Sequence, residues 1–451
     1  MLLDAAIAAL IAGSIGLPLI GFRLMDQSGG EGLATRWPDL LAAVVLVFVG
    51  RLALSLIAGG LVRSTLAAMI LFASASAFIT WPSAFLQIAA IGGALIIAVR
   101  AVVMLAGPRP VAALSDTFKP IGRALPWALA LFALALPMLP FANRGVVDAG
   151  ILILTYILLG WGLNIVTGLA GLLDLGYVAF LAIGAYTTAI LSTRFGFTFW
   201  ECLPLSALAA AAAGILLGFP VLRLRGDYFA IVTLGFGEII RIIANNWRSL
   251  TNGSQGMSNM PRPSFFGLAD FTNNPAPGHT MFSSLFGIAY NPIHRVIFLY
   301  YVVLALALAV NLFTLRIRRL PISRAWEALR EDEIAAQALG IDRRRIKLAA
   351  FAIGAAWGGI AGVVFDARQG TITPESFGFL ESAVITAIVV LGGLGSQLGI
   401  VLAALALVGL PEFFRPLEDY RMLAFGAAMI AIMRFRPRGL IATRRATATL
   451  K

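Results

Sequence analysis

One charged stretch, 316–347, reads RIRRLPISRAWEALREDEIAAQALGIDRRRIK and lies directly between two long apolar runs. It holds nine basic side chains and five acidic ones. Apolar runs of about 20 residues fold as membrane-crossing helices, because only internal hydrogen bonding satisfies their backbone in lipid. Arginine massed at the ends of such helices marks a loop kept on the cytoplasmic side. Within the stretch, 323–339 reads as a helix with a cap at Ser323 and a stop at Gly340. Ala325, Leu329 and Ala336 recur near helical spacing, while Glu327, Arg330 and Glu331 fall on another face. Two readings stay open: a docking surface for a soluble partner, or a solvated determinant of topology.

The remainder of the chain is mostly apolar. Hydrophobic residues make up 60% and charged residues 12% of its 451 positions, so the expected fold is all-α, a polytopic transmembrane helical bundle. The N-terminal run MLLDAAIAALIAGSIGLPLIGF lacks a basic leader region and reads as an uncleaved first span. Further runs lie near 39–60, 65–80, 84–106, 124–141, 148–166, 177–192, 204–221, 228–244 and 295–315. After the charged stretch come 348–366, 381–395, 400–415 and 422–434, which gives about 11 to 14 spans. The pair 381–395 and 400–415 is short and joined by GGLGSQLG, so a re-entrant or broken arrangement is open. Arg51 falls near the middle of its run, where a charge costs roughly 2.5–3.5 kcal/mol and needs a partner or a wet crevice.

A linker rich in Pro and basic residues, 107–123, divides an N-terminal helical region, 1–122, from a core, 123–440, and a tail, 441–451. With 316–347 inside, alternation also puts the linker, the turn at 222–227 and the tail inside. All three are positively charged. The same alternation puts 245–294 outside, and that loop carries little charge. Both termini are then expected on the cytoplasmic side. The net charge of +12 therefore reads as orientation and contact with anionic membrane lipid, not as nucleic-acid binding.

Several chemistries are disfavoured. The single Cys202 excludes an intrachain disulfide, and with only His279 and His294 a Cys/His metal site has no support. A phosphate-binding P-loop needs Gly-Lys-Ser/Thr, and none of Lys119, Lys347 and Lys451 follows a glycine. No His-rich, Cys or paired-Asp set suggests an enzyme. Glycine-rich runs interrupt the spans at 167–176, 354–362 and 391–399. They fit close helix packing, or unwound helices lining a pathway. Glu238 and Arg241 can pair on one helix face, as a structural ion pair or within a path; Asp174 and Asn164 carry the same two readings.

The segments GLNIVTGLAGLLDLGYVAFLAIGAY (162–186), LRLRGDYFAIVTLGFGEIIRI (222–242) and SRAWEALREDEIAAQALGI (323–341) resemble the M-type membrane subunit of bacterial branched-chain amino acid ABC importers. So do RQGTITPESFGFLESAVITAIVVLGGLGSQLG (368–399) and MRFRPRGL (433–440). The likeness runs from about 145 to 440 in matching order. It implies an ABC importer permease in the bacterial inner membrane, taking up leucine, isoleucine or valine. The implied partners are a second related permease, two cytoplasmic ATPase subunits that bind the ATP, and a periplasmic substrate-binding protein. No cofactor is implied for this chain.

In such importers a Glu-Ala-Ala-x-x-x-Gly helix fits a groove on the ATPase. Here Ala335, Ala336 and Gly340 match, Ile334 stands in place of the Glu, and Glu333 precedes it. The implied coupling set is Glu327, Arg330, Glu331, Glu333, Ala335, Ala336 and Gly340. The candidate path residues are Asn164, Asp174, Glu238, Arg241, Gly392, Gly393 and Gln397. A permease for urea or short amides on the same scaffold, and an ion-coupled secondary transporter, are the competing readings.

Overall fold

The structure, a computed structural model, describes residues 2–19, 22–27, 30–35, 37–58, 125–140, 142–221, 224, 226–258, 260–272, 280–287, 289–413, 426 and 439–441. The expected runs at 65–80, 84–106 and, apart from residue 426, 422–434, the linker 107–123 and the tail from 442 onward lie outside these residues. The chain divides into two compact units, Met1–Ala128 and Leu129–Lys451. The division expected between 122 and 123 also falls outside the described residues.

In the first unit, helix α1 (Leu2–Leu19) packs on α2 (Trp37–Ala58). Between them lies an antiparallel hairpin, β1 (Phe22–Gln27) with β2 (Gly30–Thr35), which pairs Phe22 with Thr35 and Gln27 with Gly30. No strand was expected here. The segment FRLMDQSGGEGLAT carries the Gly and Ser residues that mark a turn, and this signal was available in the sequence. Arg51 finds Asp4 on the facing helix, 3.7 Å away, so the mid-run charge is partnered.

The second unit is a helical bundle. A shorter apolar helix, α3, covers Leu125–Met138 and carries the boundary between the units at Ala128. Then follow α4 (Arg144–Leu163), α5 (Val178–Phe195), α6 (Phe199–Val221), α7 (Asp227–Asn246) and α8 (Ile293–Ile317). Next come the short α9 (Pro321–Glu331) and α10 (Glu333–Ala338), and then the long α11 (Arg343–Gln369). The last described helices are α12 (Phe379–Gly392) and α13 (Gln397–Ala404), the latter continuing through a π turn, Leu405–Gly409, into a short helical end, Leu410–Phe413. Seven helices among the described residues are long and apolar enough to cross a bilayer.

Helix α4 is the centre. Its side chains from Ile151 to Leu163 are nearly all buried, and α8, α11, α12 and α13 pack around it. Asn143 caps its start by accepting from Val146 N at 2.9 Å. A helix enclosed on every side has no polar face to spare, which is why this segment is apolar all round.

Helix α11 packs against α5 and α6, and its glycines set how closely. A Cβ on Gly184 of α5 would lie 2.2 Å from the Gly359 carbonyl oxygen, and one on Gly359 would lie 2.4 Å from that of Ser206. The run GAAWGGIAG is therefore a packing surface, one of the two readings its composition left open. Replacing Gly359 by Leu should cost at least about 1–3 kcal/mol by overpacking. The expected readout is a lower unfolding midpoint and less folded protein in detergent, with Gly196→Ala as control. Gly196 meets nothing nearby and has φ +70°, so its variant should lose only the small cost of a left-handed backbone.

Candidate coupling site

The charged stretch folds as two helices where one was expected. Helix α9 begins at Pro321, two residues before Ser323, and ends at Glu331. Asp332 then takes an extended conformation and caps α10, accepting from Ile334 N at 2.9 Å and Ala335 N at 3.0 Å. The physical reason is Asp332 itself, a strong N-cap residue placed where a continuous helix would need it in the interior. Gly340 ends α10 as expected, with φ +85°. Asp342 caps α11 in turn, accepting from Arg344 N at 3.0 Å.

Trp326 anchors the segment. It is fully buried, and its Nε1 donates to the Ile346 carbonyl of α11 at 2.7 Å. Leu329 and Ser323 are buried on the same face. Glu333 meets Arg343 and also Lys347, the latter at 3.1 Å, which ties α10 to the first turn of α11. Ala336 is only 2% exposed and so faces the chain's own core. Ile334 and Leu339, by contrast, are 71% and 84% exposed, and Ala335, Glu327 and Gly340 also face outward.

Two arginines connect this segment to breaks in the bundle. At the end of α4 the helix loosens into a π turn, Asn164–Leu169. Arg330 of α9 donates from Nη1 to the Gly168 carbonyl there, and its stem packs against Gly171. Arg318, at the other side of α9, donates from Nη2 to the Gly395 carbonyl in the turn between α12 and α13. Burial pushes the Arg318 guanidinium below its ordinary value, and the Glu327 carboxylate opposes that shift. Arginine remains charged in either case.

The two breaks also touch one another. Gly395 N donates to Asn164 Oδ1 at 2.8 Å, and Trp161 Nε1 donates to the Gln397 carbonyl at 3.0 Å. The Gly392 and Gly399 backbones meet so closely that a Cβ on Gly399 would lie 1.9 Å from the Gly392 oxygen. Gly393, at φ +103°, makes the turn. Asn164, Gly392, Gly393 and Gln397 thus form one cluster. The side-chain amide of Gln397 and Nδ2 of Asn164 have no hydrogen-bond partner among the described residues.

Asp174 lies in a second cluster. The chain is non-helical from Gly171 to Gly176, and there Asp174 Oδ1 accepts from Gly176 N at 2.8 Å. Ser382 Oγ donates to the Leu175 carbonyl at 2.6 Å, and Leu175 N donates to Thr233 Oγ1 at 3.1 Å. This glycine-rich run is genuinely unwound. Glu238 and Arg241 stand apart from both clusters. They form a forked pair on α7, with Nε 2.9 Å from Oε1, and their side chains are 40% and 31% exposed.

Two carboxylates, one buried and one half-buried, were missed. Asp366 of α11 is fully buried with neither carboxylate oxygen hydrogen-bonded among the described residues, and Tyr186 Oη, its electrostatic neighbour on α5, is likewise unpartnered. Glu381 of α12 accepts from Tyr156 Oη on α4. Both carboxylates interrupt apolar runs in the sequence, a signal that could have flagged them.

Long apolar helices around an enclosed central one, broken at glycines and gripped from one end by a charged segment, define a polytopic membrane permease. The family described as "Branched-chain amino acid transport system / permease component" matches residues 146–433, and the chain belongs to it. A second family, described only as a domain of unknown function, matches residues 1–104.

The chain is 53% identical over 325 residues to the high-affinity branched-chain amino acid transport system permease protein LivM of Escherichia coli (strain K12). That match covers 72% of this chain and 76% of the relative. It is 30% identical over 308 residues to the corresponding permease protein BraD of Pseudomonas aeruginosa, covering 64% and 91%. It is 26% identical over 298 residues to the permease protein LivH of Escherichia coli (strain K12), again 64% and 91%. No solved structure matches the chain.

Trp326→Ala should cost about 3–5 kcal/mol as a large-to-small change in a packed site. Protease cleavage within 321–340 of the purified chain is the readout, and it should rise while the α4 and α11 cores stay resistant.

Proposed function

We propose that this chain is one permease subunit of an ATP-driven importer of branched-chain amino acids. In this reading it lies in a bacterial inner membrane with the charged segment on the cytoplasmic side. A second, related permease supplies the other half of the path. Two ATPase subunits dock at the charged segment, and a soluble binding protein delivers cargo to the opposite face. ATP is bound by the partners, consistent with the lack of a Gly-Lys-Ser/Thr sequence here.

The observation that carries the reading is the division of labour within 316–347. Its indole and Leu329 are buried against the bundle, while Ile334 and Leu339 are left in the open. An exposed apolar pair on an otherwise charged surface is the mark of a contact made with another protein. The docking face is thus Ile334, Ala335, Leu339 and Gly340, with Glu327 and Glu331 beside it. Ala336, Glu333 and Arg330 hold that face in place from behind.

Closure of the ATPase pair would displace α9 and α10. Arg330 and Arg318 would pass that displacement to the π turn of α4 and to the α12–α13 turn, where Asn164, Gly393 and Gln397 gather. Aliphatic cargo suits a path lined by small and apolar side chains with a few polar groups.

The test is uptake of labelled leucine into proteoliposomes holding the assembled complex. Uptake should require ATP, the ATPase subunits and the binding protein, and an excess of urea should not compete. Transport by this chain alone on an ion gradient would overturn the reading. Leu339→Asp should weaken ATPase association by about tenfold or more, which is about 1.4 kcal/mol, with membrane insertion unchanged. Arg330→Ala should separate the two activities: ATP hydrolysis persists in the complex while uptake falls.

A further inference from the structure

At the end of the second unit away from the charged segment, α4, α8 and α11 enclose a cavity of about 380 Å³. Arg144, Arg295 and Arg368 line it, and Asp148 is the only carboxylate among its lining residues. That carboxylate is already taken. Arg368 grips it with two hydrogen bonds, Nη2 to Oδ2 at 2.7 Å and Nε to Oδ1 at 3.2 Å.

Arg144 and Arg295 are left with no ion pair or hydrogen bond from their side chains among the described residues. Arg295 is partly buried, and the nearby Arg262 and Arg144 repel it. Like charges gathered without a counter-charge are unfavourable, and an anion in the cavity would relieve them. Helices α4 and α8 both start here, so their positive ends add to the same field. The cavity is of a size that holds one small polar group.

The surroundings say what carries that anion. Pro263 lines the cavity, and the chain that follows exposes Phe266 and Leu268. Phe265 packs on Phe298 in the second turn of α8, with ring centroids 5.6 Å apart. Along its length α8 leaves Leu308 and Leu312 exposed. Arginines at helix ends, flanked by exposed aromatic and aliphatic side chains, are the composition of a membrane–water boundary.

We propose that this cavity binds the phosphate of an anionic phospholipid from the leaflet opposite the charged segment. Arg144 and Arg295 donate to the phosphate oxygens, and the acyl chains lie along the exposed face of α8. Arg368 stays with Asp148 and shapes the wall. Naming the leaflet rests on the orientation proposed above; the binding site does not.

The experiment uses the full chain purified in mild detergent and offered phosphatidylglycerol, phosphatidylcholine or inorganic phosphate, with lipid retention read by native mass spectrometry. Wild type should retain phosphatidylglycerol in preference to phosphatidylcholine and show a raised unfolding midpoint. The double variant Arg144→Gln, Arg295→Gln should lose retention by about tenfold or more. Because neither side chain has a partner among the described residues, that variant should elute and unfold as wild type does without lipid. Arg295→Lys, which keeps the charge, should recover part of the retention.

Equal retention by the double variant, or equal retention of both lipids, would overturn the proposal. Inorganic phosphate matching phosphatidylglycerol in the midpoint shift would assign the site to a free anion instead. Loss of binding-protein-dependent uptake in the variant with lipid retention intact would assign the arginines to a protein partner. Retention is read without transport, so a failure of the importer reading leaves this test standing.

Discussion

A helix that breaks among apolar neighbours exposes carbonyl groups that no water can satisfy, and each unsatisfied group is costly. The second unit is organised around meeting that constraint at two places. At Gly168 the donor is Arg330, and at Gly395 it is Arg318. Both donors come from the charged stretch outside the apolar helices. The stretch thus supplies a hydrogen bond to each break, and the breaks in turn hold the stretch. This mutual dependence makes the segment a mechanical part of the bundle. It also turns the charged loop of the sequence into something more than a mark of topology.

Glycine supplies the second half of the arrangement. Gly184 with Gly359, and Gly392 with Gly399, bring backbones within contact where any side chain would intrude. Close backbones leave little room for water, which raises the demand for internal acceptors such as Asn164 Oδ1 and Thr233 Oγ1, each taking a backbone N–H. The same small residues leave unfilled hydrogen-bonding capacity nearby, at Gln397 and Asn164. Polar groups held without partners at a helix break are where a change in helix position would have the least to undo.

Most of this fold was legible in the sequence because length and apolarity decide it. Every described span falls where an apolar run was expected, and α12 and α13 are the short, glycine-joined pair that GGLGSQLG suggested. What the sequence hid depends on contacts between distant residues. Ala336 matched a docking pattern yet lies buried, because the face of α10 is set by Trp326 and Glu333 gripping α11. Spacing alone put Arg330 on another face from the apolar residues, where it is exposed, but spacing cannot reveal a carbonyl at Gly168, 162 positions away. The Asp332 break was readable from its residue type and was overridden by periodicity on either side. Asp366 was readable too, as a carboxylate closing an apolar run.

The preference for arginine follows from the same geometry. Of 34 basic residues only three are lysines. Arg330 and Arg318 each reach a backbone carbonyl from the side, and Arg368 and Arg241 each fork onto a carboxylate. A planar guanidinium does this with several donors fixed in one plane and stays charged when partly buried. An ammonium group offers a point charge and loses its proton more readily on burial. Lys347 is the one lysine among the described residues, and it does the one task that needs only a charge, facing Glu333 beside Arg343. Where direction matters the chain uses arginine. By that logic Arg144 and Arg295, which line one cavity and have no side-chain partner among the described residues, suit the grip of an oxyanion and not merely a place in its field.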